Sequence, residues 1–355
     1  MNAQDCQKGP RMIQYRYPLK TMLKENTAES HMKHNDTGNL KRIEILSAIS
    51  AAAGALTEYG VFRYVFYSPL GRQNDDYQIL APIQTQEQYD RSIELIDKLR
   101  ARAYERVSIL SHDGLRLAGR YYHTADGAPL AILCHGYRGT PTRDFCGGAN
   151  ICFDTGYNVL LIEQRAHCSS EGHTISYGIN ERYDVLAWTN YAVKRFGEDQ
   201  RILLAGISMG AATVLMASEL NLPKQVCGIL ADCPYTSPAE IISTVGKARG
   251  IPMKLALPMA ELGARVLGGF SLYSSSALYA VKHARVPILL IHGEADRFVP
   301  CEMSRRIAEA NPKLIELHTF PGAGHGLSYL VDTERYVNLV QEFCGRIFSS
   351  HIETV

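Results

Sequence analysis

The sequence predicts a doubly wound, mostly parallel α/β sheet with a helical insertion interrupting its second half. Compact apolar runs recur at "LAILCHG", "NVLLIEQ", "RILLAG", "CGILADC", "VPILLIHG" and "IELHTFPG", the pattern of central parallel strands buried on both faces. Helical stretches such as "NERYDVLAWTNYAVKRFG" and "MGAATVLMASEL" lie between them, so strand and helix alternate as βαβ units require. The spacing breaks once, between "ILADCPYTS" and "VPILLIHG", where about fifty residues intervene, far more than one crossover helix needs.

Before the first of these runs, "RVSIL-SHDG-LRLAGRYYH" reads as two strands joined by a turn with a hairpin signal at Asp113-Gly114. Residues 1–40 are polar, without a sustained period, and are expected to form a poorly ordered arm, with Met12, Met22 and Met32 as alternative starts. Residues 41–104 read as a helical accessory segment. Within it "TQEQYDRSIELIDKLRARAYE" sets Tyr89, Ile93, Ile96 and Leu99 on one helix face. The α/β domain follows over 105–350. Its insertion, 236–285, carries Pro252, Pro258 and "MKLALPMAELGARVLGGF" and is expected to cap the strand ends, where ligands bind in such sheets. Leu255, Leu257, Met259 and Leu262 there suggest a greasy pocket suited to acyl or aryl groups.

With 355 residues and 46% apolar content the chain can fill a sizeable core. A formal charge of +1 without a concentrated Lys/Arg tract excludes the usual nucleic-acid footprint. The nine cysteines include no CxxC pair and read as reduced thiols, which points to a cytoplasmic setting. "CHG" at Cys134 and His135 lacks metal-ligand spacing, so neither metal nor cofactor is expected. No signal-peptide pattern opens the chain. "ILSAISAAAGAL", Ile45 to Leu56, is too short to span a bilayer before Glu58 and Arg63 interrupt it. Residues 45–68, with "YGVFRYVFYSP", are the one stretch that offers peripheral membrane contact.

The chemistry gathers around "GISMG". A serine held between Gly206 and Gly210, after a strand and before a helix, reads as a strained turn that presents the hydroxyl of Ser208 at the sheet top. A serine needs a positioned base, and the base an orienting acid. Of twelve histidines, His325 in "FPGAGHGLSYL" follows a strand pattern, sits between glycines and comes late in the chain. His31, His34 and His351 lie towards the termini and His318 within a strand pattern. Asp296 in "ILLIHGEADRFVP" is the acid candidate, giving the order Ser, Asp, His; Asp232 in "ILADCPY" is the alternative acid. Two N–H donors are required for an oxyanion. That of Met209 opens the helix after Ser208, and that of Tyr137 lies in "LCHGYRGT", a turn shaped by His135 and Gly136.

"HGYRG" at 135–139, "GISMG" at 206–210, "HGEADRFVP" at 292–300 and "GAGHG" at 322–326 resemble the motifs of the α/β-hydrolase superfamily over about residues 105–348. "EQRAHCSSEG" and "ADCPYTS" are similar to a bacterial branch of serine hydrolases described as esterases or serine aminopeptidase-like proteins. The resemblance implies the α/β-hydrolase fold, a triad of Ser208, Asp296 and His325, oxyanion donors at Tyr137 and Met209, a cap after the sixth strand, and no cofactor. Cys168 stands where many relatives carry glycine.

The expected activity is therefore hydrolysis of small-molecule carboxylic esters through an acyl-enzyme. Peptidase, thioesterase and acyltransferase chemistry use the same residues. A non-catalytic ligand-binding protein on this scaffold is the rival of another class. The sequence sets no oligomeric state.

Overall fold

The computed structural model describes residues 42, 44, 46–48, 50, 52–69, 76, 77 and 84–350. The expected arm over 1–40, with His31 and His34, and the terminal His351 lie outside the described residues. The chain divides into two units, residues 1–57 and 58–355. In the first, the described positions are helical and exposed, Leu46 and Leu56 among them. Among the described residues no helix is long and apolar enough to cross a membrane.

The second unit is built on one eight-stranded sheet. Its strands are β1 Glu105–Leu110, β2 Arg116–Tyr122, β3 Leu130–Cys134, β4 Asn158–Ile162, β5 Ile202–Ile207, β6 Val226–Asp232, β7 Ile288–Gly293 and β8 Ile315–Phe320. Their order across the sheet is β1-β2-β4-β3-β5-β6-β7-β8. The expected hairpin forms β1 and β2, paired antiparallel, with Gly114 at φ +87° in the turn. β2 also runs antiparallel to β4, and every pairing from β4 to β8 is parallel. This is the α/β-hydrolase fold that the alternating pattern predicts.

Side chains alternate between two apolar layers. Ile132, Leu160, Leu204, Ile229 and Leu290 face Trp188 and the helix Met209–Ala217. Leu133, Leu161, Leu203, Leu230 and Leu289 face Phe153, Phe343 and Ile347. β3, β4, β6 and β7 are buried at every position, which is why they read as unbroken apolar runs. β8 departs from that expectation. It is the sheet edge, and four of its six residues are only half-buried.

The helix Gln86–Arg100 forms as expected, with Thr85 accepting the Gln88 N–H as its N-cap. Its buried face is Ser92, Leu95, Ile96 and Leu99, whereas Tyr89 is exposed. The face is rotated because Leu95, not Tyr89, turns inward.

Between β6 and β7 the insertion folds as the helices Pro238–Ala248, Met253–Val266 and the short Ala277–Ala280. Met253–Val266 runs through Pro258 without breaking. Its inner face is made of small residues, Ala260, Gly263 and Ala264. Leu255 and Leu262 are 70% and 52% exposed, so the expected greasy lining from these two is corrected: they point to solvent. Leu257 does pack, half-buried, against the core.

Candidate active site

Ser208 sits at the junction of β5 and the helix Met209–Ala217 with φ 55° and ψ −115°, a conformation that a side chain adopts only when its surroundings hold it. The hold is steric and hydrogen-bonded. A Cβ on Gly206 would come within 2.2 Å of the Gly210 carbonyl oxygen, and one on Gly210 within 1.8 Å of the Cys134 oxygen. Both glycines are thus required for space, not for positive φ. The Ser208 N–H donates to the Asp232 carbonyl at 2.8 Å, tying the turn to the end of β6.

Two loops at the ends of β7 and β8 bring the remaining groups in. Asp296 Oδ1 accepts the N–H groups of Phe298 and Val299, both at 2.8 Å, which fixes the carboxylate on its own loop. A Cβ on Gly293 would stand 2.3 Å from the Ala323 oxygen, so the two loops touch backbone to backbone. His325 Nδ1 lies 2.6 Å from Asp296 Oδ2, and its Nε2 lies 2.9 Å from Ser208 Oγ. With a carboxylate on Nδ1, that nitrogen carries the proton and Nε2 accepts from the serine hydroxyl.

Burial works to raise the Asp296 carboxyl, but hydrogen bonds from His292 and His325 outweigh it and hold the group well below the usual carboxylate range. It is ionised, fully buried, and aimed at an imidazole that keeps some access to solvent. His292 has no part in the residues singled out by sequence. Its ring is buried at the end of β7, with Nε2 2.9 Å from the Val299 oxygen and 3.3 Å from Asp296 Oδ2, and Nδ1 2.7 Å from Ser304 Oγ. The signal was available in "HGEAD", read there only for its aspartate.

Asp232, the alternative acid, turns elsewhere. Its Oδ2 accepts the Tyr336 hydroxyl at 3.0 Å, and the carboxyl makes no hydrogen bond to His325 among the described residues. Cys233 follows it at φ +47°, and its Sγ, an Asp296 oxygen and a His325 nitrogen all lie within 4.8 Å of one another. Asp296 and His325 are already hydrogen-bonded to each other. Burial pushes the Cys233 thiol well up, so it is protonated.

The loop after β3 closes the site on another side. A Cβ on Gly136 would stand 3.4 Å from the Ser208 Cβ, which places the loop directly against the nucleophile candidate. The Gly136 N–H donates to Asp144 Oδ2 at 2.8 Å, and the Arg138 N–H to His167 Nε2 at 3.0 Å. Tyr137 lies between these two anchors. His135 acts within the loop's scaffold: Nε2 accepts the Gln164 N–H at 3.1 Å and Nδ1 bonds to the Gly136 oxygen. Burial pushes His135 and His167 below the usual imidazole range. The Met209 N–H stands at the first turn of its helix, where amides lack partners within the helix. Cys168 adopts φ +49°, so the position has the left-handed backbone that glycine favours even though a side chain is present.

Comparison with known proteins bears on the family and the fold. The model of the prolyl oligopeptidase family, Peptidase_S9, matches residues 171–351, just over half of the chain. The uncharacterised protein YqkD of Bacillus subtilis is 27% identical over 232 residues, 64% of this chain and 76% of that one. The thiohydrolase aneE of Aspergillus aculeatus is 28% identical over 136 residues, 38% of this chain and 42% of its own. Among solved structures, an esterase of Pyrococcus furiosus superposes with a TM-score of 0.59 at 24% identity, covering 70% of this chain and 93% of the esterase. The chain is an α/β-hydrolase and belongs to the prolyl oligopeptidase family.

Proposed function

We propose that this hydrolase cleaves carboxylic esters, with Ser208 as nucleophile, His325 as general base and acid, and Asp296 as its orienting group. The observation that carries the reading is the continuous chain from Asp296 Oδ2 through the His325 ring to Ser208 Oγ, 2.6 and 2.9 Å. As Ser208 Oγ attacks the acyl carbon, its proton passes to His325 Nε2, and buried Asp296 stabilises the imidazolium. The developing oxyanion is received by the N–H groups of Met209 and Tyr137, the first helped by the positive end of its helix. His325 then gives the proton to the leaving alcohol. Water, deprotonated by the same nitrogen, attacks the acyl-enzyme, and the proton returns to Ser208 Oγ as the acid leaves.

The catalytic unit in this reading spans 105–350 with a cap at 236–285, and requires neither metal nor cofactor. Esters are preferred because the Pyrococcus neighbour that the chain covers almost entirely bears the name esterase. Peptide and thioester cleavage are the second reading, carried by the family's name and by the thiohydrolase relative. The eight described cysteines are all free thiols, in keeping with a reducing compartment.

The test is fluorophosphonate labelling of wild type and Ser208→Ala, followed by turnover of matched ester, thioester and amide substrates. Label at Ser208 with fastest ester turnover supports the reading. Label with amide or thioester turnover only moves it to the second reading, and an unlabelled, folded wild type removes it.

A further inference from the structure

The helical residues 58–65 belong to the segment expected to be accessory, and their C-terminal end lies against the loop that carries Tyr137. That end is stitched to the α/β body: Tyr67 bridges Thr174, the Ser68 N–H donates to the His173 oxygen at 2.7 Å, and the Ile175 N–H to the Phe66 oxygen at 2.8 Å. Phe66 is fully buried, edge-on to Tyr177 and Phe270 with ring centroids 5.9 and 5.4 Å away.

The last carbonyls of a helix have no acceptor role within it and need outside donors. Here the donors include Tyr137 and Arg138, with a longer contact of 3.4 Å from the Tyr177 hydroxyl to the Val65 oxygen. The Tyr137 hydroxyl donates to the Val65 oxygen at 2.8 Å. Arg138 Nη2 donates to the Tyr64 oxygen at 3.0 Å and the Tyr67 oxygen at 3.3 Å, placing a cation at the negative end of the helix. Arg138 does this from φ +51°, a left-handed backbone setting that a residue with a side chain keeps only when its surroundings hold it. On its other side the same residue gives its N–H to His167 Nε2, whose Nδ1 is bound in turn to the Arg165 oxygen at 2.8 Å. Burial keeps that imidazole neutral, so Nε2 retains the lone pair this contact needs.

We propose that Arg138, with the carbonyl end of residues 64–67 that it and the Tyr137 hydroxyl grip, is a positioning device for the oxyanion donor Tyr137, so that residues 64–67 are a working part of the active site. The inference rests on the hydrolase reading above. The Tyr137–Arg138 stretch is thus held by its backbone, where His167 accepts the Arg138 N–H, and by both its side chains, which donate to the segment's carbonyls. Release of the side-chain hold leaves the loop attached through His167 but frees the Tyr137 N–H to shift.

The test uses the full chain with Tyr137→Phe, which removes the hydroxyl and with it the bond to the Val65 oxygen, Arg138→Met, which deletes the guanidinium, and Arg138→Lys. A whole oxyanion donor is worth about 10²- to 10³-fold in kcat. A mis-set one should cost less, about 10- to 100-fold in kcat for Arg138→Met and a smaller factor for Tyr137→Phe, with KM within about twofold. Affinity for a trifluoromethyl ketone, which presents the tetrahedral oxyanion, should fall in proportion to kcat/KM, and Arg138→Lys should recover part of both. A lowered Tm with kcat and ketone affinity intact would mean a structural strap only and would overturn the proposal. A wild type that neither turns over nor takes a fluorophosphonate at Ser208 overturns the hydrolase reading instead. A labelled wild type with unaffected variants sinks this inference alone.

Discussion

Tyr336 donates its hydroxyl to Oδ2 of Asp232 across 3.0 Å, while Oδ1 of the same buried carboxyl has no hydrogen-bond partner among the described residues. One neutral donor is too little to support a buried charge. Burial therefore raises the carboxyl from its ordinary 3.8 to about 6, with the Tyr336 contact pulling the other way. A folded-state value above the unfolded one means that the associated stability is complete below about pH 4 and is lost as pH rises through about 6. A displacement of that size corresponds to about 2 to 3 kcal/mol. Asp232→Asn cannot ionise, so its stability relative to wild type should improve by roughly that amount between about pH 4 and pH 7. Urea denaturation at the two pH values checks it; a difference that does not change with pH refutes the charge argument.

The two aspartates also separate by activity. Asp296 Oδ2 is the oxygen on His325 Nδ1, so Asp296→Asn offers an amide where the imidazole N–H needs an acceptor and favours the wrong tautomer. A loss of about 10³- to 10⁴-fold in kcat is expected, with fluorophosphonate labelling slowed alongside. Asp232→Asn should stay within about tenfold, because its hydrogen bond goes to Tyr336. The reverse ranking would make Asp232 the orienting acid.

Gly210→Ala should be among the most damaging single substitutions in the chain. Its added methyl would lie 1.8 Å from the Cys134 oxygen and 2.7 Å from the His135 oxygen, both backbone atoms that cannot rotate away. The helix Met209–Ala217 must then lift from β3, moving Ser208 with it. Overpacking of this kind costs about 1 to 3 kcal/mol at least, and a shift near 1 Å at the nucleophile costs about 100-fold in rate. Gly345→Ala, where nothing stands within 4 Å, is the matched control. Equal activity in the two variants would refute the steric argument.

Cys168 separates backbone from side-chain demand. At φ +49°, glycine relieves roughly 1 kcal/mol of strain but frees the unfolded chain by about 0.4 to 1 kcal/mol and gives up a partly buried thiol. The terms nearly cancel, so Cys168→Gly should shift Tm little. Cys168→Val, β-branched and unsuited to positive φ, should lower it clearly. A Val variant as stable as the Gly variant would mean that the loop relaxes freely.

The strands were legible because β3 to β7 are buried on both faces and so leave continuous apolar runs, and Ser208 and Asp296 stand out because each closely follows such a run, while His325 stands out between its glycines after β8. β8 misled for the same reason: "IELHTF" looks like a central strand, but only its ends are buried and its position at the edge depends on where β7 goes. Leu255 and Leu262 were misread because a helix's apolar residues do not announce which face is inward, and here Ala260, Gly263 and Ala264 take it. The contacts of His167, Asp144 and the Val65 carbonyl could not be read at all. They join segments 8 to 72 residues apart, and nothing local marks a backbone carbonyl as an anchor.

His292 is the residue whose importance the chemistry argues most strongly beyond the three. Its ring is fully buried and spans three acceptor or donor groups: the Val299 oxygen, the Ser304 hydroxyl and the outer edge of Asp296 Oδ2. With Nε2–H directed at Val299 and Asp296, Nδ1 accepts from Ser304, and the loop from β7 to Asp296 is closed into a ring of hydrogen bonds. His292→Ala leaves the Ser304 hydroxyl and Val299 carbonyl without this partner, a loss of about 1 to 3 kcal/mol in stability. It also removes one of the two imidazoles on Asp296 Oδ2, so the carboxylate gains freedom relative to His325. The expected result is a lower Tm together with a drop in kcat of about 10- to 100-fold at a temperature where the variant remains folded, KM changing little. His292→Gln, which keeps a donor and an acceptor on a flexible side chain of similar reach, should recover part of both. Stability lost with kcat unchanged would confine His292 to holding the loop, and Asp296 would then be fixed sufficiently by the Phe298 and Val299 amides alone.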